Sequence, residues 1–97
     1  MKIIWTEPAV DDIENIKLYI SKDSEQYAIA FIERIIESIE KLGKHPKMGR
    51  VVPEENDESL REIIIGNFRI MYQIDKDAVL IMTIIHGSMD FKGIKNL

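Results

Sequence analysis

Apolar residues recur along the first half of the chain at three- and four-residue steps, the signature of helices that bury one face. Ala9, Ile13, Ile16 and Ile20 form one such series, joined by Val10 and Tyr19. Thr6 stands ahead of it as an N-cap, Pro8 suits the first turn, and Glu7, Asp11 and Asp12 lie near the positive end of the helix dipole. A second series runs through Ala28, Phe31, Ile32, Ile35, Ile36, Ile39 and Leu42, opened by Ser24 and stopped by Gly43. Each large side chain of that stripe contributes about 1.5–3 kcal/mol on burial, before chain entropy is subtracted. This second helix must therefore pack on something.

The period then changes from helical to alternating. Residues 60–65, 68–74 and 78–85 are rich in isoleucine and aromatic side chains, are separated by turn signals, and read as a three-stranded meander. A two-residue hairpin at Gly66-Asn67 sets Ile65 opposite Phe68, Ile63 opposite Ile70 and Arg61 opposite Tyr72, all on one face. A similar turn at Lys76-Asp77 adds Val79, Ile81, Thr83 and Ile85 to that face, which the helices would cover. The other face then carries Glu62, Ile64, Arg69, Met71, Gln73, Leu80, Met82, Ile84 and His86, and brings Arg69 and His86 together in an open groove. Ahead of the first helix, Lys2 to Trp5 reads as a short strand, and residues 44–59, with Pro46, Gly49 and Pro53, read as a surface loop. The expected fold class is α+β, in the order β-α-α-β-β-β. Two N-terminal helices pack on one face of a small, mainly antiparallel sheet, and residues 1–97 form a single domain.

Composition narrows the chemistry. The chain has no cysteine, which excludes disulfides, thiolate metal sites and a cysteine nucleophile. Its opening apolar run is too short for a signal peptide and residues 78–85 are too short to span a membrane, so a cytoplasmic protein without a membrane partner is expected. A net charge of −4 argues against a protein that coats nucleic acid nonspecifically. The charge is uneven: residues 1–42 hold nine acids and five bases, whereas residues 43–97 hold eight of each and three of the four arginines. Any anion-binding surface belongs to the second part.

There is no glycine-rich phosphate loop, no pair of histidines at metal-ligand spacing and no serine in an elbow motif, so neither a metal nor a cofactor is expected. What remains is Arg50, Arg61, Arg69, Tyr72 and His86. Arginine suits phosphate because its planar fork donates two hydrogen bonds and keeps its charge, and histidine exchanges protons near neutral pH. Each has a plainer reading. Arg69 can pair with Glu62, its diagonal neighbour across the hairpin, Arg61 can be a solvated edge charge, Tyr72 can be core, and His86 can be a hydrogen-bonded structural histidine. The acids Glu54, Glu55, Asp57 and Glu58 read as a solvated loop or as a contact for a basic partner. Met71 and Met82 mark either an adaptable binding surface or packing against the tail.

Taken in order, these motifs resemble the RelE/ParE toxin superfamily over nearly the whole chain. Trp5-Thr6 with Ala9, Asp12, Ile13 and Tyr19-Ile20 looks like its first helix, and Pro46, Gly49-Arg50 and Pro53-Glu54 look like its loop. Arg61-Glu62-Ile63, Gly66, Phe68-Arg69-Ile70, Tyr72 and His86-Gly87 look like its sheet. The resemblance implies a type II toxin, a growth inhibitor neutralised by a cognate antitoxin and meeting DNA only through that antitoxin. RelE-like members cleave messenger RNA in the ribosome, whereas ParE-like members inhibit DNA gyrase.

If the chain is a nuclease, the resemblance makes Arg61, Arg69 and His86 its catalytic candidates. Two basic positions depart from that pattern: Glu62 or Ile63 fills one, and Met89 fills the other. The ParE-like reading tolerates these losses and is the one favoured here. On it, Arg50, Arg61, Arg69 and His86 border the target-facing surface, with Arg69 central. A third reading is an inactive relative that only binds the antitoxin.

Overall fold

The computed structural model describes residues 1–87 of the chain, so the replacement at Met89 and the fate of the tail lie outside the described residues. The elements are β1 (Lys2–Trp5), α1 (Glu7–Ser21), α2 (Glu25–Lys41), β2 (Arg50–Val51), β3 (Leu60–Ile65), β4 (Phe68–Asp75) and β5 (Ala78–His86). The strands form one sheet in the order β1-β5-β4-β3-β2, antiparallel except for the parallel pair of β1 with β5. This is the expected α+β architecture with one strand added. That strand, β2, lies in the segment read as a surface loop, and its two residues are too few to leave an alternating pattern.

The helices cover one face. Ala9 and Ile16 of α1, Phe31, Ile35 and Ile39 of α2, and Leu42 close over Ile65, Ile70, Tyr72, Val79, Ile81 and Ile84. Ser24 caps α2 as expected, its hydroxyl accepting from the Tyr27 amide at 3.1 Å. Thr6 occupies the N-cap of α1 without capping it. Its hydroxyl instead donates to the carbonyls of Ile81 at 2.6 Å and Met82 at 3.1 Å, which ties the helix start to β5. Ile36, expected within the buried stripe, faces outward. Among the described residues no helix is long and apolar enough to cross a membrane.

The hairpin of β3 and β4 has the expected register, with Ile65 opposite Phe68, Ile63 opposite Ile70 and Arg61 opposite Tyr72. Gly66 turns with φ of 58°, which the first position of either primed turn demands. A β-bulge follows where β4 meets β5: Tyr72 pairs with Ile81 but Met71 pairs with Thr83, leaving Met82 as the extra residue. The expected faces of β5 therefore hold for Val79, Ile81 and Met82 and are exchanged at Ile84 and Ile85. Ile84, not Ile85, joins the helix-covered core, while Ile85 joins the opposite cluster. Asp12 of α1 secures the irregular stretch, accepting from the Thr83 hydroxyl at 2.6 Å and from the Ile84 amide at 2.9 Å. A buried amide displaced from a ladder needs such a partner.

Candidate functional site

The second face of the sheet is closed rather than open. After β2 the chain turns back over it, so that Val52 is fully buried against Leu60, Met71 and Ile85, with Met82 packed alongside. The turn is held by its own bonds. The amides of Glu55 and Asn56 donate to the Val52 carbonyl, and Asp57 accepts from the amide and hydroxyl of Ser59. This fold-back carries Glu54 to the sheet and closes the groove expected there.

Alternation along β3 and β4 sends Glu62 and Arg69 to this face as diagonal neighbours. The Arg69 guanidinium meets two carboxylates at once. Nη1 and Nη2 donate to the two oxygens of Glu54, each at 2.8 Å, while Nε and Nη2 donate to Glu62. Oε2 of Glu62 also accepts from Nε and Nη2 of Arg50, at 3.3 and 3.1 Å. The result is a chain of alternating charge, Arg50, Glu62, Arg69 and Glu54, with no net charge. Its centre is dry: the Arg69 and Glu62 side chains are 6% and 0% exposed, against 61% for Arg50. Hydrogen bonds donated to Glu54 and then to Glu62 raise the Arg69 pKa above its ordinary value, outweighing the opposing effect of burial.

The expected site residues are thus divided. Arg69 is buried, and a phosphate could reach its fork only by displacing a bidentate carboxylate. Arg61 lies on the other face, donating from Nε to the Glu58 carbonyl and from Nη1 to that of Gly49, both at 2.9 Å. There it holds the loop ahead of β2. His86 pairs with Phe68, and its ring stands edge-on to that of Phe68 with centroids 5.9 Å apart. The adjacency of Arg69 and His86 in one open groove is therefore corrected: the bulge puts the histidine on the helix-side register and the fold-back covers the arginine. Met71, offered above as a binding-surface residue, is fully buried.

Tyr72 is core, as its plainer reading has it. Its hydroxyl donates to the Pro46 carbonyl at 2.7 Å and accepts from the Gly49 amide at 2.9 Å. Desolvation raises its pKa despite the amide bond from Gly49. Gly49 fits only because it has no Cβ, which would lie 2.5 Å from both the Glu62 carbonyl and the Tyr72 hydroxyl. Of the expected set, Arg50 and His86 lie at the surface. The residue that sequence reasoning missed is Glu54, hidden among four loop acids that carry no pattern to tell one from another.

Three comparisons bear on this arrangement. Residues 3–91 match the family model described as the ParE toxin of the type II toxin–antitoxin system parDE. A Sinorhizobium fredii protein, Y4kP, named as a candidate toxin, is 31% identical over 88 residues, covering 89% of this chain and 88% of its own. Among solved structures, the chromosomal ParDE system from P. aeruginosa superposes with a TM-score of 0.73 at 19% identity, over 89% of this chain and 95% of that one. The RelBE2 toxin–antitoxin complex of Mycobacterium tuberculosis gives 0.63 at 19% identity, over 88% of this chain and 95% of that one. The RelB–RelE complex of Methanococcus jannaschii gives 0.55 at 17% identity, over 96% of this chain and 95% of that one. At such identities the structures establish the shared fold, and the family match does the rest: this chain belongs to the ParE toxin family of type II toxin–antitoxin systems.

Proposed function

We propose that the chain is a cytoplasmic growth inhibitor, neutralised by a cognate antitoxin, that acts by binding DNA gyrase rather than by cleaving messenger RNA. The observation that carries this reading is the saturation of Arg69 by Glu54 and Glu62. Cleavage through a 2′-hydroxyl needs cationic donors aimed at the phosphate and groups that move protons beside them. Here the two sheet arginines are spent, one on carboxylates and one on backbone carbonyls, and His86 stands in the register of the opposite face. A protein that only binds its target needs none of that machinery. Of the proposed target-facing residues, Arg50 and His86 are exposed, whereas Arg61 and Arg69 support the surface from beneath.

The test is supercoiling of relaxed plasmid by purified gyrase with increasing amounts of the chain. Inhibition that is relieved by the co-purified antitoxin is expected. Full supercoiling at a large molar excess of toxin would remove gyrase as the target.

A further inference from the structure

The uneven charge of the chain gathers on the outer side of the helix layer. On α1, Glu14 stands four residues from both Val10 and Leu18 and three from Lys17, so these side chains form one stripe of the helix. On α2, Glu25, Ile29, Glu33, Ile36 and Glu40 follow one another at the same steps. Neither stripe is the one buried against the sheet, and every residue of both is exposed. Glu14, Lys17, Leu18 and Ser21 meet Glu25 around a groove of about 590 Å³, which joins the two stripes into one seam.

Two properties of this seam call for a partner. It is apolar along its length: Leu18 is 65% exposed, Ile29 43%, Val10 38% and Ile36 37%. Isolated exposed aliphatics are ordinary on a helix, whereas four on one seam form a patch that a partner covers. The seam is also acidic, with the carboxylates of Glu14, Glu25, Glu33 and Glu40 against the single ammonium of Lys17. Among the described residues none of these five side chains makes a hydrogen bond or a salt bridge. They differ in this from Arg50, Glu62, Arg69 and Glu54, whose charges are spent on one another.

We propose that the seam docks a helix of the target protein, apolar on one side and flanked there by lysine or arginine. The apolar side chains of that helix lie over Leu18, Ile29 and Ile36, and its cations meet the four carboxylates, which steer the approach. The sheet offers no such surface, because the helices cover one of its faces and the fold-back after β2 covers the other. A second copy of this chain is a poor occupant, since seam on seam sets acid against acid. Nucleic acid is repelled for the same reason. The inference rests on the reading above in taking the chain to act by binding a protein target.

Fluorescence anisotropy in about 0.15 M salt, with the full chain and a labelled helical peptide of about 18 residues, tests the chemistry. The peptide carries leucines at three- and four-residue steps and lysines between them. A scrambled peptide of the same composition and one with glutamate for lysine are the controls. Saturable binding of the first peptide alone is expected, weakened about tenfold by Leu18→Lys, which removes an apolar contact and repels the cations. Leu18 is largely exposed, so the variant should keep the wild-type unfolding temperature. In gyrase supercoiling the same variant should need about tenfold more protein for half inhibition. Equal binding of either control peptide, no binding of the amphipathic one, or an indifferent Leu18→Lys variant in either assay overturns the proposal. Supercoiling untouched by the wild-type chain removes gyrase as the target, and the peptides then decide the seam alone.

Discussion

Arg69→Ala removes the guanidinium that bridges the buried Glu62 and the partly buried Glu54, and its cost can be worked from their surroundings. Glu62 would keep Arg50, but that arginine is 61% exposed and shares only one oxygen with it, while the Glu62 side chain has no access to water. Glu54, 21% exposed, can turn outward and recover hydration. Removing one member of a buried ion pair costs about 3–5 kcal/mol, mostly the penalty of stranding the other charge. That is a large share of the roughly 5–15 kcal/mol that holds a domain of this kind folded. Urea unfolding followed by Trp5 fluorescence would register it as a lower midpoint at unchanged slope.

Controls separate the charges. Arg50→Ala should cost about 1 kcal/mol or less because that pair is wet on one side. The double variant Glu62→Gln with Arg69→Met should be more stable than Arg69→Ala alone, since it strands no charge at the centre. An Arg69→Ala variant within about 0.5 kcal/mol of wild type would refute the reasoning. So would a loss that disappears in about 1 M salt, where exposed pairs are screened and buried ones are not.

Tyr72→Phe deletes both hydroxyl bonds of the buried anchor and leaves the Pro46 carbonyl and Gly49 amide without it, so a loss of about 1–3 kcal/mol in urea unfolding is expected. The same substitution should change alkaline behaviour. The folded-state pKa of Tyr72 is raised above 10.0, so its neutral form contributes stability in full below that value and loses it as pH climbs through the folded pKa. Wild-type unfolding free energy should therefore fall more steeply above pH 10 than that of the phenylalanine variant. Asp12→Ala strands the Ile84 amide at the bulge and should cost about 1–3 kcal/mol, with faster hydrogen exchange confined to β5 around that amide. Gly66→Ala places a Cβ 3.2 Å from the Phe31 ring at φ of 58°, and a loss of about 1–2 kcal/mol in thermal unfolding is expected.

Local rules made much of the fold legible. The step of three and four in α2, the glycine at the first hairpin and the alternation of β3 and β4 fixed both helices and the register that sets Glu62 diagonal to Arg69. Their pairing was open to inspection for the same reason. Two features were not. A bulge costs one residue of register and has no required residue type, so the inversion of Ile84 and Ile85 left no trace in the string. The fold-back after β2 depends on Val52 finding Leu60, Met71 and Ile85, contacts between residues far apart in sequence. Without that long-range contact Glu54 reads as one more solvated acid, and its bidentate hold on Arg69 goes unseen.

The central claim is that Arg69 is a structural strut in a protein that binds and does not cut. Ribosomes translating a defined message, incubated with the purified chain and analysed by primer extension, test it most directly. The account predicts a message that remains full length at toxin concentrations that arrest gyrase. New 5′ ends at the ribosomal decoding site, abolished in an Arg69 variant shown to be folded, would contradict it.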